Sequence, residues 1–216
     1  MYLPRHFIEE HVDVVTELAR QNPLATLVSL GDDGLIATHL PLLWDVEPAP
    51  YGTLRGHFAR PNPHARITSS PVDALVIFSG PSAYVSPSWL PSKREHGKVV
   101  PTWNYAVVHA YGPLRLIDDT EWLRALVTRL TDREEGAFAT PWRVTDAPAG
   151  FLDGALKGIV GVEVAVSRLE GKWKLSQNRP DTDQAGIIAG LEERADPRSR
   201  ALADVARAHR SGRAGS

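Results

Sequence analysis

Residues 55–66 read RGHFARPNPHAR and put Arg55, His57, Arg60, Asn62, His64 and Arg66 within one short stretch. Arginine offers a planar fork of donors that matches phosphate and carboxylate, so the chemistry suggested is anion binding. Pro61 and Pro63 fix φ at two positions and favour a rigid loop over a merely solvated basic one. A second stretch, residues 101–112 (PTWNYAVVHAYG), carries Thr102, Trp103 and Asn104. Amides beside flat rings suit the edge and face of a planar ligand, and Tyr105 and Trp89 are further rings nearby in sequence. A third, KWKLSQNR, holds Lys172, Lys174, Gln177, Asn178 and Arg179 as charge and amides at a strand exit. His39 stands alone inside the apolar run ATHLPLL, where a lone histidine is commonly a satisfied core or interface residue.

Other chemistries are excluded or left without support. There is no cysteine, so disulfides and thiolate catalysis are absent. His39, His57, His64 and His109 follow no recognised metal spacing, and no metal ion site is expected. Heme needs only a single axial histidine, so these residues leave it open. Ser79, Ser82, Ser86 and Ser88 lack a G-x-S-x-G setting, and neither a G-x-G-x-x-G nor a P-loop is present. A net charge of −2 gives no overall pull toward nucleic acid or anionic membrane. The start, MYLPRHFIEEH, lacks the layout of a signal peptide, and no apolar run approaches the ~20 residues that span a bilayer. The expectation is a soluble cytoplasmic protein.

These residues must be positioned by regular elements. Val12, Val15, Leu18 and Ala19 form a helical stripe within 8–21, stopped by Asn22-Pro23. Apolar runs at 24–30 and 35–43 flank Gly31-Asp32-Asp33-Gly34, a hairpin signal. Strands are expected at 53–59 and 73–79, and from Val99 through Gly112-Pro113 into LRLI. In that last strand Thr102, Asn104, Ala106, Val108 and Ala110 share one face, and Trp103, Tyr105, Val107, His109 and Tyr111 the other. Pro101 cannot donate to a ladder, which predicts entry at a sheet edge or after a bend. Helices are predicted over 119–133, over 146–158 with Asp146 as cap, and from Asp181 to Glu193 through an Asp181/Gln184 capping box. Residues 160–176 read as a strand pair turning at Glu170-Gly171. The strands cluster instead of alternating with helices, which favours an α+β antiparallel barrel decorated with helices. With 216 residues and no linker, one domain over 1–194 is expected, followed by an Arg-rich tail over 195–216 that is a loosely attached helix or disordered.

Taken in order, MYLPRHF, ATHLP, GHFARPNP, FSGPSAYVSPSW, VPTWNY with VHAYG, and WKLSQNR resemble the PaiB family of FMN-binding negative transcriptional regulators, from Met1 to about Glu193. The resemblance implies a split antiparallel β-barrel related to pyridoxamine-phosphate-oxidase-like flavoproteins. It also implies a homodimer with FMN at the subunit interface. Carried onto this chain, the cofactor residues would be His39, Arg55, His57, Asn62, His64, Trp89, Thr102, Trp103, Asn104, Lys174, Gln177 and Asn178. The functional expectation is a negative regulator or flavin-linked sensor. The alternative is an enzyme on the same barrel, either a flavin oxidoreductase or a heme b enzyme like the piperazate synthases, with His39, His57 or His64 as axial ligand. Ser82 and Leu90 depart from the family pattern, which favours His and Tyr there. Direct DNA binding would fall to the tail, with five arginines against two aspartates.

Overall fold

In the computed structural model, which describes residues 1–48, 50–67, 73–194 and 196–214, the chain opens with β1 (Ile8–Glu9) and α1 (Val12–Gln21). A hairpin follows, β2 (Leu24–Gly31) and β3 (Gly34–Pro41), closed as expected at Gly31-Asp32-Asp33-Gly34. Gly34 takes φ 115°, a conformation side-chain-bearing residues rarely adopt. Next come β4 (Leu43–Asp45), β5 (Thr53–Ala59), a 3₁₀ turn at Pro63–Arg66 and β6 (Ala74–Val85). The remaining elements are α2 (Ser92–Glu95), β7 (Thr102–Gly112), β8 (Leu114–Ile117), α3 (Thr120–Glu135), α4 (Ala149–Lys157), β9 (Ile159–Ala165), β10 (Arg168–Lys174), α5 (Asp181–Glu193) and α6 (Pro197–Ala214).

The chain forms two compact units, one of Met1–Val15, Ser79–Val108 and Glu170–Ser216, the other of Thr16–Phe78 and His109–Leu169. In the first, the strand order is β1-β10-β7-β6, with α5 and α6 in the same unit. The alternation along β7 is as the sequence predicts: Asn104, Ala106 and Val108 are buried, and Trp103 is exposed. In the second unit β6 pairs with β2 and β2 with β3, while β4-β5-β9-β8 form an antiparallel sheet. Leu27, Leu54, Val76 and Val162 are at most 1% exposed and anchor its core, each side chain contributing about 1.5–3 kcal/mol by burial. Trp44 stacks on Phe78 with ring centroids 5.6 Å apart.

Several expectations are corrected. The first helix starts at Val12, not Ile8, because Ile8 and Glu9 pair with Lys172 and Gly171. Glu9 Oε1 then accepts the backbone N–H of His11 at 3.0 Å, just ahead of the helix. Residues 160–176 are not a hairpin: β9 pairs with β5 and β8, whereas β10 pairs with β1. Gly171 is no turn residue; a Cβ there would lie 2.7 Å from the Glu9 carbonyl oxygen, so glycine permits close backbone approach. The helix expected from Asp146 begins at Ala149, and Asp146 instead accepts the Arg143 N–H at 2.8 Å across a 3₁₀ turn. Phe151, an apolar residue of that helix, is 70% exposed. The helix from Asp181 to Glu193 forms without a capping box: Pro180 is its N-cap, and Gln184 Nε2 donates to the Arg179 carbonyl at 2.8 Å. Pro101 sits just before β7, which lies between β10 and β6 and is not an edge strand. The tail is a packed helix, with Leu202 and Ala203 fully buried and Arg207 ion-paired to Glu192; Ala195, Gly215 and Ser216 lie outside the described residues.

Candidate functional site

Each unit holds part of the expected site. In the second unit β5 and the turn after it place His57, Asn62 and His64, and β3 supplies Thr38 and His39. Asn62 caps the 3₁₀ turn, its Oδ1 accepting the His64 backbone N–H at 2.9 Å. That bond fixes the amide orientation, so Asn62 Nδ2 donates to Thr38 Oγ1 at 3.1 Å. Thr38 Oγ1 lies 2.7 Å from His64 Nδ1 and 3.3 Å from Asn62 Oδ1, so its proton has two acceptors and the donor in the His64 contact follows the tautomer. His64 is fully buried and its Nε2 has no hydrogen-bond partner, as is also true of His57 Nδ1. Burial lowers the pKa of both imidazoles below the ordinary 6.5.

A pH dependence follows. Unfolded histidines take up protons as the pH falls through 6.5, while the buried pair resists until its lower pKa. Stability from these groups is thus complete above that range and declines as the pH falls through it, by about 1.4 kcal/mol per pH unit for each histidine. Urea midpoints measured between pH 7.5 and about 5 are expected to show this slope, roughly halved in His57→Gln. A slope unchanged in that variant would remove His57 from the account.

The arginines are otherwise engaged. Arg55 is held between Asp45 and Glu163, with Nε 2.7 Å from Glu163 Oε1, directly across the β5–β9 register. Arg129 also pairs with Asp45, and this hydrogen bond is the main reason the Asp45 carboxyl titrates below its usual range. Arg60 donates to both carboxylate oxygens of Asp118, at 3.0 and 2.6 Å, and to two backbone carbonyls. Two of the three arginines of the basic loop thus act as cross-strand and loop braces. His39 is exposed on β3, away from the Thr38–Asn62–His64 network.

In the first unit the residues divide by strand face. Trp103 is 57% exposed and meets Tyr84, 39% exposed, edge-on at 6.4 Å between centroids. Lys174 Nζ donates to Thr102 Oγ1 and to the Trp103 carbonyl, both at 2.5 Å, and lies 5.9 Å from the Tyr105 ring centre. Lys172, two residues earlier on the same face, donates to the Tyr2 carbonyl at 2.9 Å and lies over the rings of Tyr2 and Tyr105. Burial lowers the Lys174 pKa; Tyr105 opposes this, and the positive charges of Lys172 and Arg179 add to it. No carboxylate pairs with either lysine among the described residues.

The other expected residues face elsewhere. Asn104 is 1% exposed on the buried face, where its Oδ1 accepts the Ser176 hydroxyl at 3.1 Å and its Nδ2 lacks a partner. Gln177 is used locally, accepting the Leu175 N–H at 2.8 Å and donating to the Trp173 carbonyl at 2.6 Å. Asn178 is exposed. Trp89 packs on α5 at Gly186 and Gly190, whose missing side chains make room for it. Tyr84 was not singled out from the sequence, whereas Tyr105 and Lys172 stand in the stretches read there, at the strand parity of Trp103 and Lys174.

Residues 1–168 match the family described as "Putative FMN-binding domain". A Bacillus subtilis relative, protease synthase and sporulation protein PAI 2, is 34% identical over 95% of this chain and 96% of its own length. An uncharacterized protein of Emericella nidulans is 31% identical, with 96% of each chain covered. Among solved structures, the flavocytochrome Anf3 from Azotobacter vinelandii aligns with TM-score 0.57 at 11% identity, over 86% of this chain and 78% of that one. A conserved hypothetical protein of Mycobacterium tuberculosis aligns with TM-score 0.56 at 12% identity, over 83% and 94%. At such identities the structural likeness is one of fold, and the fold class is the α+β split antiparallel barrel that the sequence led us to expect. The chain belongs to the PaiB family of the FMN-binding domain.

Proposed function

We propose that this protein binds FMN beside the exposed face of β7 and β10 and acts as a flavin-linked sensor, with the redox state of the flavin as its signal. The observation that carries the reading is the pairing of Trp103 and Tyr84, two large rings left exposed together, with Lys174, whose charge no carboxylate among the described residues neutralises. Flat apolar faces suit an isoalloxazine ring, and lysines held by neutral acceptors suit an anionic group. FMN supplies the electron-transfer chemistry; the protein supplies binding, orientation and electrostatics. Lys174, oriented by Thr102 and the Trp103 carbonyl, favours added negative charge on the ring.

One further feature supports this account. The name of the B. subtilis relative couples that protein to protease synthesis and sporulation, which agrees with a regulatory output. Partnership with a second copy is part of the proposal: Leu24 and Leu35 are 64% and 79% exposed on the same face of the β2–β3 hairpin. Among the described residues no helix is long and apolar enough to cross a membrane.

Titration of the purified protein with FMN, followed by quenching of flavin fluorescence, tests the reading. Saturable binding is expected, with a midpoint potential of bound flavin above that of free FMN. Lys174→Met is expected to lower affinity roughly tenfold, as befits loss of a charge-assisted hydrogen bond, and to return the potential toward the free value. The wild-type affinity is also expected to decline at alkaline pH as Lys174 loses its proton, earlier than an ordinary lysine would, with no such decline in Lys174→Met. Failure to take up FMN would overturn the proposal.

A further inference from the structure

A cleft of about 530 Å³ is lined by Tyr84 and Trp103 and by Arg194, Asp196, Arg198 and Ser199 from the end of α5 and the start of α6. That volume lies within the ~300–1,000 Å³ range of small-molecule sites. Ser82 and the two aromatic side chains form one wall, and Arg194 and Arg198 form the other. Both arginines lie past residue 168, where the family domain ends on this chain. We propose that Arg194 and Arg198 are an anion clamp that holds the phosphate of FMN while its ring system lies against Trp103 and Tyr84. The inference rests on the flavin reading given above and goes beyond it by locating the phosphate.

Three observations lead there. Arg55 and Arg60, two of the three arginines that the basic loop offers to a phosphate, are bound by Asp45, Glu163 and Asp118, and the third, Arg66, is exposed on the other unit. Arg198 is exposed, has no ion pair among the described residues, and borders the cleft. The one carboxylate in the lining, Asp196, is turned to its own helix: it accepts the Ser199 N–H at 2.9 Å and the Ser199 hydroxyl at 2.6 Å. Arg194 Nε lies 3.2 Å from Asp196, so this carboxylate offsets one arginine and leaves a net positive lining. Asp196 also satisfies the first turn of α6, so the clamp relies on guanidinium groups and not on the helix terminus. Guanidinium forks bind phosphate through paired donors, and an aromatic wall places a ring within reach of them.

The test compares FMN with riboflavin, which differs only in lacking the phosphate, at fixed ionic strength by isothermal titration. The wild-type protein is expected to bind FMN about 100-fold more tightly than riboflavin. Arg198→Gln and the double variant Arg194→Gln/Arg198→Gln are expected to lose most of that preference while binding riboflavin as the wild type does. Inorganic phosphate is expected to compete with FMN in the wild type and not with riboflavin. Both side chains are largely exposed, so the variants are expected to melt with the wild type, which circular dichroism checks. Equal wild-type affinity for the two flavins would overturn the clamp and leave the flavin reading standing, and so would a double variant that keeps the full FMN preference. Binding of neither flavin by the wild type would overturn both.

Discussion

Val108→Asp is expected to abolish cooperative folding, whereas Trp103→Ala, five positions earlier on the same strand, is expected to leave the fold intact and strip ligand affinity. Val108 is fully buried with Ala106 and Ala110 on the inner face of β7. A carboxylate there has no cation or donor to meet it, and such a buried unpaired charge costs more than about 4 kcal/mol. Domains of this kind have about 5–15 kcal/mol in total, so the variant is expected to lack a cooperative urea transition. Trp103, by contrast, is 57% exposed. Its removal is expected to change stability by less than about 0.5 kcal/mol. The same change deletes a stacking surface worth about 1–3 kcal/mol, a loss of roughly 5- to 100-fold in FMN affinity. A Val108→Asp protein that melts like the wild type would contradict the assignment of the two faces of β7.

The second large effect concerns Trp89 and α5. Glycine inside a helix ordinarily costs about 1 kcal/mol relative to alanine, so on propensity alone Gly→Ala in α5 stabilises. Gly186 reverses that sign: a Cβ there would lie 2.2 Å from the Trp89 carbonyl oxygen, which is backbone and cannot swing away. At Gly190 the added atom would lie 2.2, 2.4 and 2.6 Å from three atoms of the Trp89 indole. Such overlap forces shifts costing about 3 kcal/mol, which exceeds the helical gain and leaves a net loss of about 2 kcal/mol. For a chain of this size that lowers the melting temperature by roughly 4–8 °C. Gly154→Ala in α4 is the matched control, because nothing lies within 4 Å of its added Cβ, and it is expected to raise the melting temperature slightly. If Gly186→Ala and Gly154→Ala shift melting in the same direction, the close packing of Trp89 on α5 is refuted.

How much of this was legible in the sequence depended on whether the signal was local. The β2–β3 hairpin, the helix capped by Asp119 and the two faces of β7 were all readable, since turn chemistry, capping and period-two alternation are written in adjacent residues. Gly171 misled, because a glycine that ends a strand and one that admits another backbone look alike until the Glu9 carbonyl is known to face it. The basic loop misled in a similar way. Arg55 and Arg60 had the composition of a phosphate site, but their partners Glu163 and Asp118 lie 108 and 58 residues away along the chain, in ion pairs closed only by tertiary structure. Asn104 was placed correctly on the face of Ala106 and Val108, yet that face is interior, so the amide braces Ser176 in place of meeting solvent. Arg194 and Arg198 carry no motif at all; only the meeting of α5 and α6 with the cleft singles them out.

Ser176 makes one last point. It is buried, its hydroxyl is the donor to Asn104, and its backbone sits at φ 65°, a left-handed conformation that glycine adopts freely and serine does not. Glycine would relax the backbone and silence the hydroxyl; any β-branched residue would worsen the strain. The position therefore has two requirements that pull toward different residues, and serine is a compromise between them. Variants selected for heat resistance alone would drift toward glycine here and leave the amide of Asn104 without the Ser176 donor, so ease of folding and order beneath the β7 strand are in direct conflict at a single residue.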